Sequence, residues 1–194
     1  MRALCLLLLG LGLAACGGGE SVRAKEATVQ QKAAGLTGWD RLFGSPETTI
    51  ASANQFGFRA PALEGEPGAY TTEGSEIFIS STAVAAPNKA SFSATGVHAD
   101  ALTAIRFGLL IQDPSHAEPA KQRFATVIRD FLFQAKAPGA EAIAAAVAAE
   151  QPARGGLPGG SWTLSREPYS PVENGRRLLV TFTRADSRSA TSSS

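Results

Sequence analysis

The chain has 194 residues, 18 Lys and Arg against 17 Asp and Glu, and 44% hydrophobic residues. A formal charge of +1 leaves none of the clustered cationic excess that binds a polyphosphate backbone, so nucleic acid is excluded as a partner class. Ten Phe and two Trp give enough apolar side chain to offset the entropy of ordering, which predicts a packed core and excludes a wholly disordered chain.

Residues 1–19 read MRALCLLLLGLGLAACGGG, with one cation, Arg2, ahead of an apolar run from Ala3 to Ala15. As a helix that run spans about 20 Å, short of the ~30 Å hydrocarbon core of a bilayer. It reads as the apolar region of a signal peptide and not as a membrane span. Leu13-Ala14-Ala15-Cys16 closes the run and resembles the lipobox of bacterial lipoprotein precursors, a resemblance that covers the leader and the cleavage site alone. It implies cleavage between Ala15 and Cys16, a diacylglyceryl thioether on the Cys16 sulfur, and acylation of the new amine. Each buried CH₂ contributes roughly 0.8 kcal/mol, and two or more acyl chains hold where one does not. The resemblance therefore implies a domain tethered to membrane lipid through Cys16. In the family, an Asp after the Cys retains the protein at the inner membrane; Gly17 stands here, which implies the outer membrane, facing the periplasm. With Cys5 in the leader and Cys16 acylated, the mature chain has no free thiol, disulfide or Cys-based metal site. The competing reading is an ordinary secretory signal cut after Ala15, with Cys16 incidental.

Residues 16–38 are Gly-rich and then polar, and they read as a tether. The packed domain is expected over 39–186, beginning with Trp39, Leu42 and Phe43. Ser45-Pro46-Glu47 combines a capping hydroxyl, Pro at the first helical position and an acid in the first turn, which predicts a short helix ending near Gly57. Arg59 to Gly74, dense in Gly and Pro, predicts a surface loop. Strands are expected over Glu76–Ser81, with Ile77 and Ile79 on one face; over Ser91–Thr95; and over Ala104–Ile111, with Ile105, Phe107, Leu109 and Ile111 together. Gly108 marks either a bulge or a simple small-residue packing site.

Asp113-Pro114-Ser115 stops that strand and starts a helix over Ala117–Ala135. Its stripe is Phe124, Val127, Ile128, Phe131, Leu132 and Ala135, the spacing of one helix face packed on a sheet. Phe133 falls opposite the stripe, either covered by the next helix or open to a partner, with the covered arrangement favoured. Pro138-Gly139 breaks the chain, and Ala140–Glu150 is a second, Ala-rich helix. Residues 151–160 read as a flexible connector. The chain then closes on a hairpin, Ser161–Arg166 and Arg177–Thr183 about an Asn174-Gly175 turn, before a Ser-rich tail at 187–194. The order α-β-β-β-α-α-β-β predicts an α+β fold, an antiparallel sheet of about five strands with two to three helices on one face.

His98, Asp100, Asp113 and His116 alone have the atoms for a metal or for acid-base work, should two strand ends bring them together; otherwise Asp113 or Ser115 caps the helix and both His are solvated. There is no Gly-x-Ser-x-Gly elbow, and the Gly-rich 155–160 stretch leads into a strand where a phosphate loop would lead into a helix. Phe133 and Trp162 are the aromatic side chains assigned to a partner. The expectation is a lipid-anchored, non-catalytic binding module for an envelope protein, with no cofactor. A carrier of an apolar ligand or lipid is the second reading and requires a cavity behind Phe107, Phe124 and Phe131; a metal-dependent enzyme is the third.

Overall fold

A computed structural model describes residues 31, 35–80, 86–171 and 173–185. The leader, Ala15, Cys16 and the Ser-rich tail lie outside these residues. The described elements are α1 (Gly38–Gly44), α2 (Pro46–Asn54), β1 (Glu64–Glu66), β2 (Ala69–Glu73), β3 (Ile77–Phe78), β4 (Lys89–Gly96), β5 (Ala104–Ile111), a 3-10 turn (Pro114–His116), α3 (Ala117–Gln134), α4 (Ala140–Ala149), β6 (Ala153–Leu157), β7 (Gly160–Pro168) and β8 (Arg176–Arg184). They form an α+β fold whose antiparallel sheet runs β1-β2-β4-β5-β8-β7-β6, with β3 also paired to β4.

The expected strand count is corrected from about five to eight, and the helices from two or three to four, among the described residues. The predicted loop at Arg59–Gly74 contains a hairpin in which Glu66 pairs with Ala69 across Pro67 and Gly68. The predicted connector at 151–160 contains another, with Leu157 paired to Gly160 across Pro158 and Gly159. In each, Gly follows Pro with a positive φ, +97° at Gly68 and +75° at Gly159, the pattern of a type II turn. The Gly and Pro content that suggested loops is turn chemistry joining short edge strands.

Gly155 explains why β6 escapes a propensity reading. The Trp162 indole lies against its α-carbon, where a Cβ would collide with the ring. Trp162 is 5% exposed, so its assignment to a partner is corrected: the indole is core, packed over an edge strand that must carry Gly.

β2 and β3 lie end to end along one edge of β4. Glu73 pairs with Ser93 but Ile77 pairs with Ala90, so four steps on one strand face three on the other, a bulge after Glu73. Alternation survives it, with Ile79 buried and Phe78 exposed. Gly108 holds an unbroken register between Ser91 and Leu179, and the Ser91 hydroxyl occupies the space a Cβ would need. It is a packing glycine and not a bulge.

The α3 stripe is buried as its spacing requires. Phe107 sits at the centre of the core, with ring centroids 5.9 Å from Phe58, 5.2 Å from Phe92, 4.9 Å from Phe131 and 6.4 Å from Phe182. The opposite face of the central strands carries Ser91, Ser93 and Thr95 on β4, Arg106 on β5, and Thr181 and Thr183 on β8, all at least partly exposed.

α3 runs back along the sheet, and this gives the molecule two ends. At one, Lys121 near the start of α3 and Arg176, where β8 begins beside Ile111, both meet Glu150. At the other, Gly38 N–H donates to the Ala135 carbonyl at 2.7 Å, and Trp39 packs against Phe182 beside Ile105.

Candidate functional site

Glu150 ends α4 in the left-handed region, φ 52°, where helices usually place Gly because a Cβ costs energy there. Its carboxylate gives the reason. Arg176 reaches both oxygens, Nη2 donating to Oε1 at 2.6 Å and Nε donating to Oε2. Lys121 Nζ lies 3.1 Å from Oε1, and Arg166 Nε lies 3.6 Å from Oε2. Lys121 also meets Glu118 at 2.6 Å and donates to the Ala148 carbonyl at 3.1 Å. A carboxylate 15% exposed thus ties α3, α4, β7 and β8 together.

The Arg176 hydrogen bonds, with help from Lys121 and against the opposing effect of burial, lower the Glu150 carboxyl from 4.5 to about 2. Burial pulls the Lys121 ammonium down, but its bonds to Glu118 and Glu150 outweigh that and hold it above its ordinary value. The Glu150 bond likewise raises Arg176 against burial. All three groups are fixed in their charged forms at neutral pH, so none is poised to exchange a proton in catalysis. The cluster is a clamp. Two open clefts of about 440 and 590 Å³ flank it and share Arg166, the least engaged of its cations and 50% exposed.

Asn88 organises the same end from beneath. Fully buried, its Oδ1 accepts from the backbone N–H of Gln112 and Asp113, both at 2.8 Å, and its Nδ2 donates to the carbonyls of Asp113 and His116 at 3.1 and 3.2 Å. One side chain therefore holds the turn that leads from β5 into α3.

On that turn Asp113, Ser115 and His116 meet. Asp113 Oδ1 accepts from Ser115 N–H at 3.0 Å, the predicted cap, and from Ser115 Oγ at 2.5 Å. His116 Nδ1 lies 2.5 Å from Asp113 Oδ2 and 3.0 Å from Ser115 Oγ. A Ser-His-Asp relay needs the acid and the hydroxyl on opposite ring nitrogens; here both meet Nδ1. The Ser115 bond, then the His116 bond, lower the Asp113 carboxyl below its ordinary value. This is a solvated cap and not a nucleophile.

The predicted grouping of His98 with His116 is corrected by register. Thr95 pairs with Ala104 and Lys89 with Leu110, so His98, beyond the end of β4, and His116, beyond the end of β5, lie at opposite ends of strands roughly 27 Å long. Among the described residues no group of three His, Cys, Asp or Glu is placed to hold a metal. The favoured covering of Phe133 is corrected too: it is 80% exposed. The α4 core contacts, Ile143 and Val147, turn inward, and the helix leaves the outer side of α3 open. Sequence reasoning missed Glu150, Arg176, Lys121, Arg166 and Asn88, which are joined to partners 16 to 29 positions away; the Lys121-Glu118 spacing alone was a local signal. Compared with known protein families, curated proteins and solved structures, the chain matches none.

Proposed function

We propose that the chain is a lipid-anchored cell-envelope protein, held by acyl chains on Cys16 at the outer membrane, whose domain binds an envelope protein partner in the periplasm without catalysing a reaction. The observation that carries this reading is Leu13-Ala14-Ala15-Cys16 at the end of an apolar run too short to span a bilayer. Two features of the domain favour binding over chemistry. The Glu150 clamp is locked in its charged state, and the Asp113, Ser115 and His116 geometry lacks a relay. Against the carrier alternative stands the aromatic packing about Phe107, with Phe124 and Phe131 fully buried in the same cluster.

Cys16→Ser tests the anchor. The variant is expected to lose metabolic labelling by fatty acid and to leave the membrane fraction; a variant that stays membrane-bound overturns the reading. Crosslinked purification of the acylated protein from solubilised envelope then tests the binding role. A stoichiometric partner protein is expected. Recovery of the domain alone with a co-purified small molecule would favour the carrier.

A further inference from the structure

Among the described residues three large hydrophobic side chains are exposed: Phe133 by 80%, Phe78 by 55% and Val97 by 43%. Phe133 stands on the polar face of α3, with Arg129 and Asp130 a turn before it and Lys136 just after. Single apolar side chains on a surface are common and by themselves assign nothing. The place of this one is informative. The chain enters the fold at Gly38, bonded to the Ala135 carbonyl, two positions beyond Phe133. Val97 lies at the same end of the sheet, where its carbonyl accepts from Gly68 N–H at 3.0 Å. Phe78 lies at the other, paired with Lys89.

We infer that the Gly38 end is a lipid-docking surface, with Phe133 seated in the interfacial layer of the bilayer that carries the anchor. The inference rests on the lipid-anchor reading and adds an orientation to it. The stretch from Cys16 to Gly38 reaches at most about 75 Å even when fully extended. The tether joins the domain at the Gly38 end, beside Phe133, and the far end of α3 stands roughly 27 Å from that attachment point. Because the anchor already confines the domain to the membrane, the encounter is intramolecular and a small apolar contact is enough to bias it. Of the cations there, Arg129 is paired with Glu141 at 3.5 Å, and Asp130 and Asp40 offset the charges of Lys136 and Arg41. Docking is therefore driven by insertion of the ring and should persist in salt that screens surface charge. The opposite end, with Arg166 and its two clefts, then faces away from the membrane.

The test uses the acylated protein in vesicles of phosphatidylethanolamine and phosphatidylglycerol that contain a nitroxide-bearing lipid. Lys136→Cys supplies a single free thiol for a polarity-sensitive fluorophore, and Asn174→Cys supplies the distal control. At position 136 the label is expected to be blue-shifted and quenched by the lipid nitroxide; at 174 it is not. Adding Phe133→Ser should reduce quenching at 136 to the level at 174. Equal quenching at the two positions, or quenching indifferent to Phe133→Ser, overturns the inference. So does quenching that disappears when the protein is diluted within the membrane, since Phe133 would then belong to contacts between copies. Failure of the anchor reading shows separately, as a purified mass without acyl chains. The mature chain with Cys16→Ser, held by an N-terminal hexahistidine on nickel-chelating lipid, repeats the comparison with no acyl chain. Quenching there that depends on Phe133 supports docking, and its absence from bound protein overturns it.

Discussion

At the Gly38 end the layers are joined by rings: the Trp39 ring packs, tilted, with its centroid 4.9 Å from Phe182 and 5.9 Å from Phe43, and its indole N–H donates to the Pro138 carbonyl at 3.2 Å. At the Glu150 end the same layers are joined by charge and amide, through the Arg176 and Lys121 ion pairs and the four side-chain hydrogen bonds of Asn88. Apolar burial is not directional and tolerates small shifts, whereas a buried polar network is stable only when every member is satisfied. The two ends should therefore fail in different ways. The ring-packed end should loosen in proportion to the apolar surface removed, and the polar end should fail when one partner is lost.

The largest effect is expected at the ring-packed end. Trp39→Ala removes a side chain 3% exposed that bridges α1 to β8, and unfolding in urea should show a loss of about 4 kcal/mol. A loss under 1 kcal/mol would mean that α1 is only appended to the core. Asn88→Leu should follow, at about 3 kcal/mol, because two amide N–H groups and two carbonyls at the β5-α3 turn lose their partner inside the protein. Amide hydrogen exchange separates the two variants: Asn88→Leu should raise exchange at Gln112 and Asp113, and Trp39→Ala at Gly38. If both variants opened the same amides, the two ends would be one cooperative unit.

How much of this was legible in the sequence follows the range of the forces. β5 and α3 were readable to within a residue because Ile105 to Ile111 alternate and the Phe124 to Ala135 stripe repeats on neighbouring turns. The final hairpin was readable from Asn174-Gly175, whose Asn takes φ 60°. β1 and β6 were not, since Glu-Gly-Glu has no apolar face and β6 has only Ala153 and Leu157 on either side of Gly155 to pack on the core, so each exists because a neighbouring strand supplies register. The metal grouping failed on the same ground: His98 and His116 are close along the chain but are separated by the full length of β5. The clamp was hidden because Glu150 reads as the frayed end of an Ala-rich helix until β8 brings Arg176 beside it.

The smallest expected effect is also the one that sorts the two ends by pH. Glu150 is lowered from 4.5 to about 2 in the folded chain. A depressed carboxyl contributes stability that is fully present above the unfolded value and is lost as pH falls from about 4.5 toward 2. Allowing for screening by water, the contribution is on the order of 2 kcal/mol. Glu150→Gln should remove it at neutral pH and flatten the dependence over that window, while leaving the nearly buried Lys121 ammonium with Glu118 as its remaining ion-pair partner. The Trp39 contacts contain no titrating group, so acid should open the end of α4 and the start of β8 while Gly38 N–H stays protected. Equal acid sensitivity of stability in the Gln variant and the parent would place the pH response elsewhere, with Asp113, whose carboxyl the Ser115 and His116 bonds also hold below its ordinary value, the next to examine.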